Sequence, residues 1–334
     1  MNQIVHSSEG VDQIMKKSLK NVLPYLGVSL CLSLFLGGCT KKPTEDVIKM
    51  GFTPAESTEK VNSNGTVLAK LLEKKTGKKF KVYVANDYTA LIESMRTGQV
   101  DIGWLAPFAF VLAESKADAR VALKSVRHGK ASQYSAIITK DSSPAKTIQD
   151  LKGKNIAWID PSSSSGHIAP KAALISQGID PDKFFGKQTW AGSHESAVMA
   201  VMNGSVDAAA TFSNNAEGSD GSWTKYEALM GAKAIKLRAV FVTPPMPSDT
   251  VSFSGMYVDR NPEEAQQMKA ALLELSSSPE GKEALKNLYG IEGLVEAKTE
   301  EYEPLRAAAA KLGLNLDLKS SSAATSSPSE KKPN

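Results

Sequence analysis

The sequence has almost no cysteine: two residues among 334, Cys31 and Cys39, both close to the amino terminus. Nothing after Cys39 can form a disulfide or a cysteine-based metal site. Histidine is scarce too, with four residues, and no His-Glu-x-x-His spacing predicts a metal hydrolase. The fold must therefore rest on an apolar core.

A large excess of charge of either sign is also missing. The formal net charge of +4 falls to +3 without residues 1–38, which carry three lysines and two acidic residues. This balance excludes a polycation that binds nucleic acid. No apolar run after residue 39 is long enough to span a bilayer, and 41% hydrophobic residues are typical of a globular protein. The length suits two domains.

The amino-terminal region has the pattern of a bacterial lipoprotein signal. An apolar run from Val22 to Leu36 follows three lysines and ends in Gly37-Gly38-Cys39. Its 15 residues are fewer than the roughly 20 that cross a bilayer as a helix. The pattern predicts a signal peptide over 1–38, a lipid-modified Cys39 and a mature chain on the extracytoplasmic face of the membrane. Met15 is an alternative start to Met1, because the basic segment follows it directly.

Strand-like and helix-like segments alternate from residue 47 onward, which predicts a mostly parallel α/β sheet. The predicted strands are 47–52, 80–84, 101–105, 135–139, 156–159 and 206–211. The predicted helices are 67–75, 88–97, 167–177, 193–202, 262–275, 279–288 and 302–312. Gly77, Gly98 and Gly204 are placed to end helices, and Asn261 and Ser278 to begin them. Polar segments 39–46 and 319–334 read as a linker and a disordered tail.

Four motifs occur in a fixed order along the chain: Asn86-Asp87-Tyr88-Thr89-Ala90-Leu91-Ile92, Val100-Asp101-Ile102-Gly103-Trp104-Leu105, Asp160-Pro161-Ser162-Ser163-Ser164-Ser165-Gly166 and Gly192-Ser193-His194-Glu195. Together they resemble the phosphonate/phosphite/phosphate solute-binding proteins of ABC importers, from about Val47 to about Tyr289. The resemblance implies a two-lobed, type II-like periplasmic binding protein with the ligand in the cleft between lobes. We expect a first lobe of 47–134 and 251–318 and a second lobe of 135–250.

The resemblance places the phosphate cradle of the family on Ser163, Ser164 and Ser165. Physical reasoning supports an anion site there, because a helix start presents free backbone N–H groups and serine hydroxyls add donors. The alternative is a serine loop that only caps the helix.

Two further donors are implied by the family's motifs. Tyr88 matches a tyrosine whose hydroxyl donates to a phosphoryl oxygen, and His194 matches a histidine that does the same from a helix start. A core tyrosine and a helix-start polar residue are the alternatives. Glu195 is expected to support the same helix start rather than to touch the ligand.

Asp249 matches the family aspartate at a lobe crossing. Its carboxylate opposes an anion unless the ligand carries a proton, so it predicts selection of protonated phosphorus oxyanions over sulfate. Asn214 stands where relatives that bind aminoalkylphosphonates have a glutamate, and Leu105 replaces a tyrosine. Both departures favour a small ligand without an amine.

Three more residues are weaker candidates. Trp104 could face a P–H or methyl group, although burial in a strand explains it as well. Tyr134 precedes a strand at the first lobe crossing, and Thr53 lies at the carboxyl end of the first strand, where α/β sheets bind ligands.

The resemblance implies a monomeric binding lipoprotein, without cofactor, metal or catalytic residues, that delivers phosphite, methylphosphonate or phosphate to a permease and its ATPase. A sensory or scavenging receptor of the same fold, or a binder of another ligand such as a sulfonate, remains open. A hydrolase triad of Ser164, His167 or His194, and Asp207 is disfavoured, because the sequence has no Gly-x-Ser-x-Gly elbow.

Overall fold

The structure is a computed structural model that describes residues 47–233, 235–314 and 316. These residues belong to one compact unit, which begins at Val47. The predicted signal peptide 1–38, the lipidated Cys39, the rest of the linker and the tail 319–334 lie outside the described residues. Among the helices that are described, none combines the length and the apolar character needed to span a bilayer.

Within the described ranges, the strands form two six-stranded sheets. Sheet 1 has the order β12-β4-β11-β3-β1-β2, and sheet 2 has the order β10-β5-β8-β6-β7 with β9 paired to β5. The strands are β1 Val47–Phe52, β2 Lys79–Val84, β3 Ile102–Leu105, β4 Arg120–Val126, β5 Ser132–Lys140, β6 Ile156–Trp158, β7 Gln188–Trp190, β8 Ala208–Ser213, β9 Leu237–Val242, β10 Met246–Pro247, β11 Thr250–Phe253 and β12 Gly293–Glu296.

Helices flank both sheets. They are α1 Thr58–Thr76, α2 Tyr88–Arg96, α3 Pro107–Ala117, α4 Ala169–Ser176, α5 Pro181–Phe184, α6 His194–Asn203, α7 Ser222–Met230, α8 Gly255–Arg260, α9 Pro262–Ser277, α10 Pro279–Tyr289 and α11 Glu303–Lys311. Short 3₁₀ turns cover Ile148–Leu151, Gly231–Lys233 and Thr299–Tyr302, and a π turn covers Ser164–Ile168.

Each sheet is parallel on one side only. β1 pairs in parallel with β2 and β3, and β6 with β7 and β8, whereas the other pairings are antiparallel. The α/β class is confirmed, but the expectation of mostly parallel pairing holds for only part of each sheet. The chain returns to sheet 1 at Thr250, opposite Leu105 at the carboxyl end of β3. Because β11 starts beside the carboxyl end of β3, the two strands are antiparallel.

The predicted helix ends are mostly confirmed. Gly77 and Gly204 end α1 and α6 in the left-handed conformation, with φ of 71° and 77°, which glycine adopts without steric cost. The hydroxyl of Ser278 accepts a hydrogen bond from the backbone N–H of Gly281 at 3.1 Å. The capping role expected of Asn261 is wrong, because its side chain makes no cap hydrogen bond.

Helix α3 was not predicted from the sequence. Its first seven residues, PFAFVLA, are apolar without a break, so they show no helical periodicity. Most of them are buried, and Phe110 packs edge-on against Tyr302 at 4.9 Å between ring centroids. A helix buried on all sides gives the same short apolar run as a buried strand.

The chain passes between the sheets twice, from β4 to β5 and from β10 to β11. The segments that connect the sheets are therefore residues 127–131 and 248–249. The carboxyl-terminal helix α11 packs against α3 beside sheet 1 and α4 beside sheet 2. The described chain thus joins the two sheets at three places.

Candidate functional site

A small cavity lies between the two sheets, with a volume of about 50 Å³. Sheet 1 supplies residues at the carboxyl ends of β1 and β3 and at the start of α2, which follows β2. Sheet 2 and its loops supply the opposite wall. The lining residues are Thr53, Ala55, Glu56, Tyr88, Trp104, Leu105, Ala106, Pro107, Ser125, Arg127, Gln133, Ser163, Ser165, His194, Phe212, Asp249, Tyr289 and Ile291.

The serine motif forms a tight turn at one side of the cavity. Ser163 and Ser165 line the cavity and are 1% and 5% exposed. The hydroxyl of Ser163 accepts from the backbone N–H of Gly166 at 3.1 Å. The turn continues as one π turn before α4, so the predicted helix from His167 begins with a wider first turn. Turns of this kind are frequent at binding sites.

Ser164 lies in the same motif but does not line the cavity. Its hydroxyl accepts a hydrogen bond from the backbone N–H of Phe108, at the start of α3, at 2.7 Å. That contact joins the serine turn to a helix beside sheet 1. The structure therefore places Ser164 at a junction between the two walls and outside the lining of the cavity.

Tyr88 begins α2 and is 1% exposed. The side chain of Asp87 caps this helix by accepting from the backbone N–H of Ala90 at 2.7 Å. Burial raises the pKa of the Tyr88 phenol, and the charges of Asp160 and Asp249 add to the effect. Tyr88 therefore keeps its proton and offers the cavity a neutral hydroxyl.

His194 begins α6 and is 7% exposed. Burial lowers its pKa to about 4, so the imidazole is neutral at physiological pH. Its Nδ1 lies 2.8 Å from the hydroxyl of Thr211, which in turn lies 2.6 Å from the hydroxyl of Ser222. When Thr211 donates to Nδ1, Nε2 carries the ring proton and is a donor.

Asp249 lines the cavity in the segment that leads back to sheet 1. Its carboxylate accepts from Arg127 Nη2 at 2.7 Å and from Gln133 Nε2 at 3.1 Å. All three side chains line the cavity. Arg127 also donates to Ser125 and to the carbonyl of Tyr289, each at 3.0 Å. The guanidinium offsets the charge of Asp249 while the carboxylate keeps lone pairs for a further donor.

Trp104 stacks on Phe52 at the end of sheet 1, with ring centroids 5.8 Å apart and planes inclined by 20°. Its indole Nε1–H is buried and has no hydrogen-bond partner among the described residues. Leu105 and Phe212 add apolar surface to the cavity, and Thr53 lies at the end of β1. The wall around the donors is therefore largely apolar.

Besides Ser164, the predicted ligand contacts Asn214 and Tyr134 are not part of this cavity, and neither is Glu195, which was expected only to support a helix start. Asn214 lines a neighbouring pocket of about 300 Å³, and its amide donates to Asp220 at 2.9 Å. Tyr134 lies on β5 next to Gln133, and since neighbouring strand residues face opposite sides, the inward position belongs to Gln133. Glu195 lies in the first turn of α6 but does not reach the cavity.

The lining side chains that the sequence analysis missed include Glu56, Arg127, Gln133, Phe212 and Tyr289. Arg127 and Gln133 lie at the first crossing between the sheets, in a segment without periodicity. Tyr289 is the last residue of α10 and donates its hydroxyl to the carbonyl of Thr53 at 2.6 Å. Their positions depend on tertiary packing, so no local sequence signal points to them.

Glu56 connects the walls of the cavity. Its carboxylate accepts from Lys225 on α7 at 2.6 Å and from Lys60 on α1 at 2.6 Å. Burial alone would raise the pKa of Glu56, but the hydrogen bonds and charges of these lysines lower it. Nearby, the backbone N–H of His194 donates to the carbonyl of Ala55 at 3.1 Å. The loop after β1 is thus bonded to the sheet 2 side at two points.

A comparison with protein families matches residues 50–302 to the family described as "ABC transporter, phosphonate, periplasmic substrate-binding protein". The chain belongs to this family. The resemblance noted from the four sequence motifs is thereby confirmed.

Two curated members of the phosphonate-binding family show the same relationship. The phosphate-import protein PhnD of Mycolicibacterium smegmatis is 30% identical over 201 residues, which cover 54% of this chain and 63% of that protein. The phosphonates-binding periplasmic protein of Escherichia coli is 28% identical over 226 residues, covering 66% and 64%. The matched part therefore spans slightly less than two thirds of each relative.

Solved structures share the fold. A binding protein component of an ABC phosphonate transporter from Pseudomonas aeruginosa has a TM-score of 0.70 and 24% identity, over 80% of this chain and 86% of that one. A Prochlorococcus marinus protein in complex with methylphosphonate has a TM-score of 0.69 and 19% identity, over 80% and 98%. The two-lobed periplasmic-binding fold is confirmed.

The side chains of the disfavoured hydrolase triad are each bonded to other groups. The Ser164 hydroxyl is bonded to Phe108, and His167 Nδ1 lies 2.9 Å from the carbonyl of Pro161. The carboxylate of Asp207 accepts from the backbone N–H of Asn155 at 2.9 Å. The described residues include no cluster of three or more metal-ligating side chains. Family membership places the chain among substrate-binding proteins of transporters.

Proposed function

We propose that this protein captures a small phosphorus oxyanion without an amine, such as phosphite, methylphosphonate or phosphate, and delivers it to an ABC permease. The observation that carries the proposal is the cavity of about 50 Å³ between the sheets, where neutral donors surround one Arg-paired aspartate.

Size supports a small ligand. A water molecule requires roughly 10–15 Å³ on the same scale, so about 50 Å³ holds on the order of four water-sized groups. A central phosphorus with its four substituents needs that amount of space. A nucleotide or a long-chain ligand exceeds this volume and would have to extend into the neighbouring pocket.

The donors suit an anion. Ser163, Ser165, Tyr88 and His194 all offer neutral hydrogen-bond donors in a buried setting, where charge-assisted bonds contribute about 1.5–3 kcal/mol each. The Asp249 carboxylate can accept a hydrogen bond from a protonated oxygen of the ligand. Phosphorus oxyanions carry such a P–O–H group near neutral pH, and sulfate has no proton to donate. Four to six such bonds are of the order needed for micromolar to nanomolar binding, about 8–12 kcal/mol.

The walls disfavour a cationic tail. Phe212 and Leu105 in the cavity are apolar, and the neighbouring pocket holds the neutral amide of Asn214, which is bonded to Asp220. Glu56 is already paired with two lysines. The relatives agree with this class of ligand, since one is a phosphate-import protein and one structure contains methylphosphonate.

Binding and closure are one coupled equilibrium in this proposal. The ligand contacts come from both walls, so the ligand stabilises the arrangement in which the walls meet. The moving units are the predicted lobes, 47–134 with 251–318 and 135–250, with the first boundary shifted to the crossing before β5 at Ser132. The crossing segments 127–131 and 248–249 are the hinge.

Location follows from the amino-terminal pattern. Acyl chains on Cys39 hold the mature protein at the extracytoplasmic face of the membrane. The partners are a permease and its ATPase, and the protein acts as a monomer.

Calorimetric titration of ligand-stripped protein from Thr40 tests the proposal, with phosphite, phosphate, methylphosphonate, 2-aminoethylphosphonate and sulfate in parallel. We expect tight binding of at least one amine-free phosphorus oxyanion and none of sulfate. Preference for the aminoalkyl compound would overturn the assignment of an amine-free ligand. Absence of binding by all five would overturn the ligand class.

A pair of serine variants tests the site itself. Ser163→Ala removes a hydroxyl from the cavity, and we expect at least tenfold weaker binding. Ser162→Ala is the matched control, because Ser162 is buried in the same turn but does not line the cavity. Equal affinity of both variants would show that the ligand does not bind at the serine turn.

A further inference from the structure

A row of lysines covers one face of sheet 1 where the chain enters it. β2 is an edge strand with alternating exposure, and Lys79, Lys81 and Tyr83 are exposed. β1 lies beside it in parallel, with Val47 opposite Lys79 and Lys49 opposite Lys81. We call Lys49, Lys79 and Lys81 the basic face.

The basic face borders a groove of about 410 Å³. The groove is lined by Lys49, Lys81, Tyr83, Ser94, Gly98 and Gln99, with no carboxylate among them. Like charges directly opposite one another on neighbouring strands are unfavourable, and Lys49 and Lys81 are such a pair. An external anion relieves this repulsion.

The partners of these lysines leave most of the positive charge uncompensated. Neither Lys79 nor Lys81 forms an ion pair with a described residue, and the Lys49 ammonium donates to the carbonyl of Gly98 at 2.8 Å. Two carboxylates accept from backbone N–H groups beside these lysines: Asp101, 4% exposed, from Lys49 at 2.9 Å, and Glu73 from Phe80 at 3.0 Å. Neither forms an ion pair with a lysine of the basic face. The exposed charge of the face is therefore positive.

Chain length brings this face close to lipid. Seven residues, 40–46, separate Cys39 from Val47, and seven residues span at most about 25 Å. Since Val47 pairs with Lys79, a lipid anchor at Cys39 keeps the basic face within reach of the membrane surface. This step rests on the lipid anchor of the proposed function.

The cavity lies beyond the carboxyl ends of the same two strands. Val47 and Lys79 begin β1 and β2, whereas Thr53 and Tyr88 follow the ends of these strands and line the cavity. The basic face occupies the amino-terminal half of these strands, so its contact with lipid does not cover the cleft beyond their carboxyl ends.

We propose that the basic face binds the anionic phospholipid surface beside the anchor and holds the cleft away from the membrane during ligand capture. Each lysine near an anionic surface strengthens binding by about fivefold, so three give on the order of a hundredfold. Binding of this strength is reversible, and the protein is free to turn on its linker toward a permease.

Sedimentation with vesicles tests the proposal without the anchor. Protein from Thr40 is mixed with phosphatidylglycerol or phosphatidylcholine vesicles at low and high salt. We expect at least tenfold stronger binding to phosphatidylglycerol, lost at high salt because the charges are screened. Equal binding to both lipids would overturn the proposal.

Matched charge variants locate the contact. K49Q/K79Q/K81Q is expected to lose at least tenfold in vesicle binding. K152Q/K154Q/K187Q removes the same charge from exposed positions at the starts of β6 and β7 and is expected to bind like the unmodified protein. Equal losses in both would show a net-charge effect and overturn the assignment to this face.

Ligand titration of vesicle-bound protein separates this inference from the proposed function. We expect unchanged ligand affinity on the vesicle, because the cleft lies at the carboxyl ends of the strands and the basic face near their starts. Reduced affinity on the vesicle would mean that the cleft contacts the lipid, and would overturn the orientation. Failure of all ligands in free solution would instead overturn the proposed function and leave vesicle binding as it is.

Discussion

His194 is held neutral at a position where an anion is expected. Burial of the ring lowers its pKa by more than the charges of Asp249 and Glu56 raise it. A neutral imidazole still donates through Nε2, and it does so without demanding a second charge on the ligand. The same burial makes the folded protein sensitive to acid.

We expect His194 to destabilise the ligand-free protein as the pH falls. Its pKa of about 4 in the folded state lies below the ordinary 6.5, so between these values the unfolded chain binds the proton more readily. The free energy of unfolding should lose about 1–2 kcal/mol through this group between pH 7 and pH 5. Urea unfolding of His194→Gln at both values should show a smaller loss than the parent.

If His194→Gln and the parent lose the same stability on acidification, His194 is not the buried neutral group described here.

Asp249 should decide between phosphorus oxyanions and sulfate. In Asp249→Asn the negative charge is gone and the partner Arg127 is freed to favour any anion. We expect the ratio of sulfate to methylphosphonate affinity to rise at least tenfold, measured by calorimetry. An unchanged ratio would show that Asp249 does not read the ligand proton.

At the scale of elements, the serine turn depends on the absence of a side chain at Gly166. A Cβ there would lie 2.0 Å from Cγ1 of Ile159 and 2.9 Å from the hydroxyl of Ser163. Such an overlap is relieved by displacing the turn, whose hydroxyls face the cavity.

Gly166→Ala should therefore weaken ligand binding at least tenfold while the protein stays folded, as judged by circular dichroism and calorimetry. Gly293→Ala is the matched control, because a Cβ at Gly293 meets no atom within 4 Å. Native affinity in Gly166→Ala would mean that the turn does not position the ligand.

How far the sequence predicts these elements depends on how local their signals are. The strand at Val47 and the helix end at Gly204 were predicted because periodicity and glycine chemistry act within a few residues. Helix α3 was missed because its apolar first half has no period. Arg127 and Gln133 were missed for a different reason, since only the crossing between sheets brings them to Asp249.

The serine motif shows the same limit at finer detail. The sequence identified the turn that reaches the cavity, but neighbouring hydroxyls could not be told apart. Ser163 lines the cavity while Ser164 is used by the N–H of Phe108 on a helix that the sequence did not reveal.

For the whole molecule, Glu56 joins the two walls through Lys225 without contributing a donor to the ligand. Closing the walls forms this pair in a partly buried place, so its energy should add to closure and to affinity for every ligand alike.

We therefore expect Glu56→Gln and Lys225→Gln each to weaken phosphate and methylphosphonate binding by the same factor, about three- to tenfold. The double variant should lose less than the product of the two single losses, which a double-mutant cycle on calorimetric affinities measures. Affinity losses that differ between the two ligands would contradict an effect on closure. A double variant whose loss equals the product of the two single losses would contradict a direct pair between Glu56 and Lys225.

The enclosure of the cavity also determines how long a ligand stays. Most polar side chains around it, including Tyr88, His194 and the lining serines, are at most 7% exposed, and the crossing segments themselves carry Arg127 and Asp249. Under the proposed closure, a bound anion leaves only when the walls open, so its lifetime equals the waiting time for the next opening. A partner that pulls the walls apart would speed dissociation of the ligand without competing for any of its hydrogen bonds. The rate of ligand release would then depend on the force that the partner exerts on the two walls.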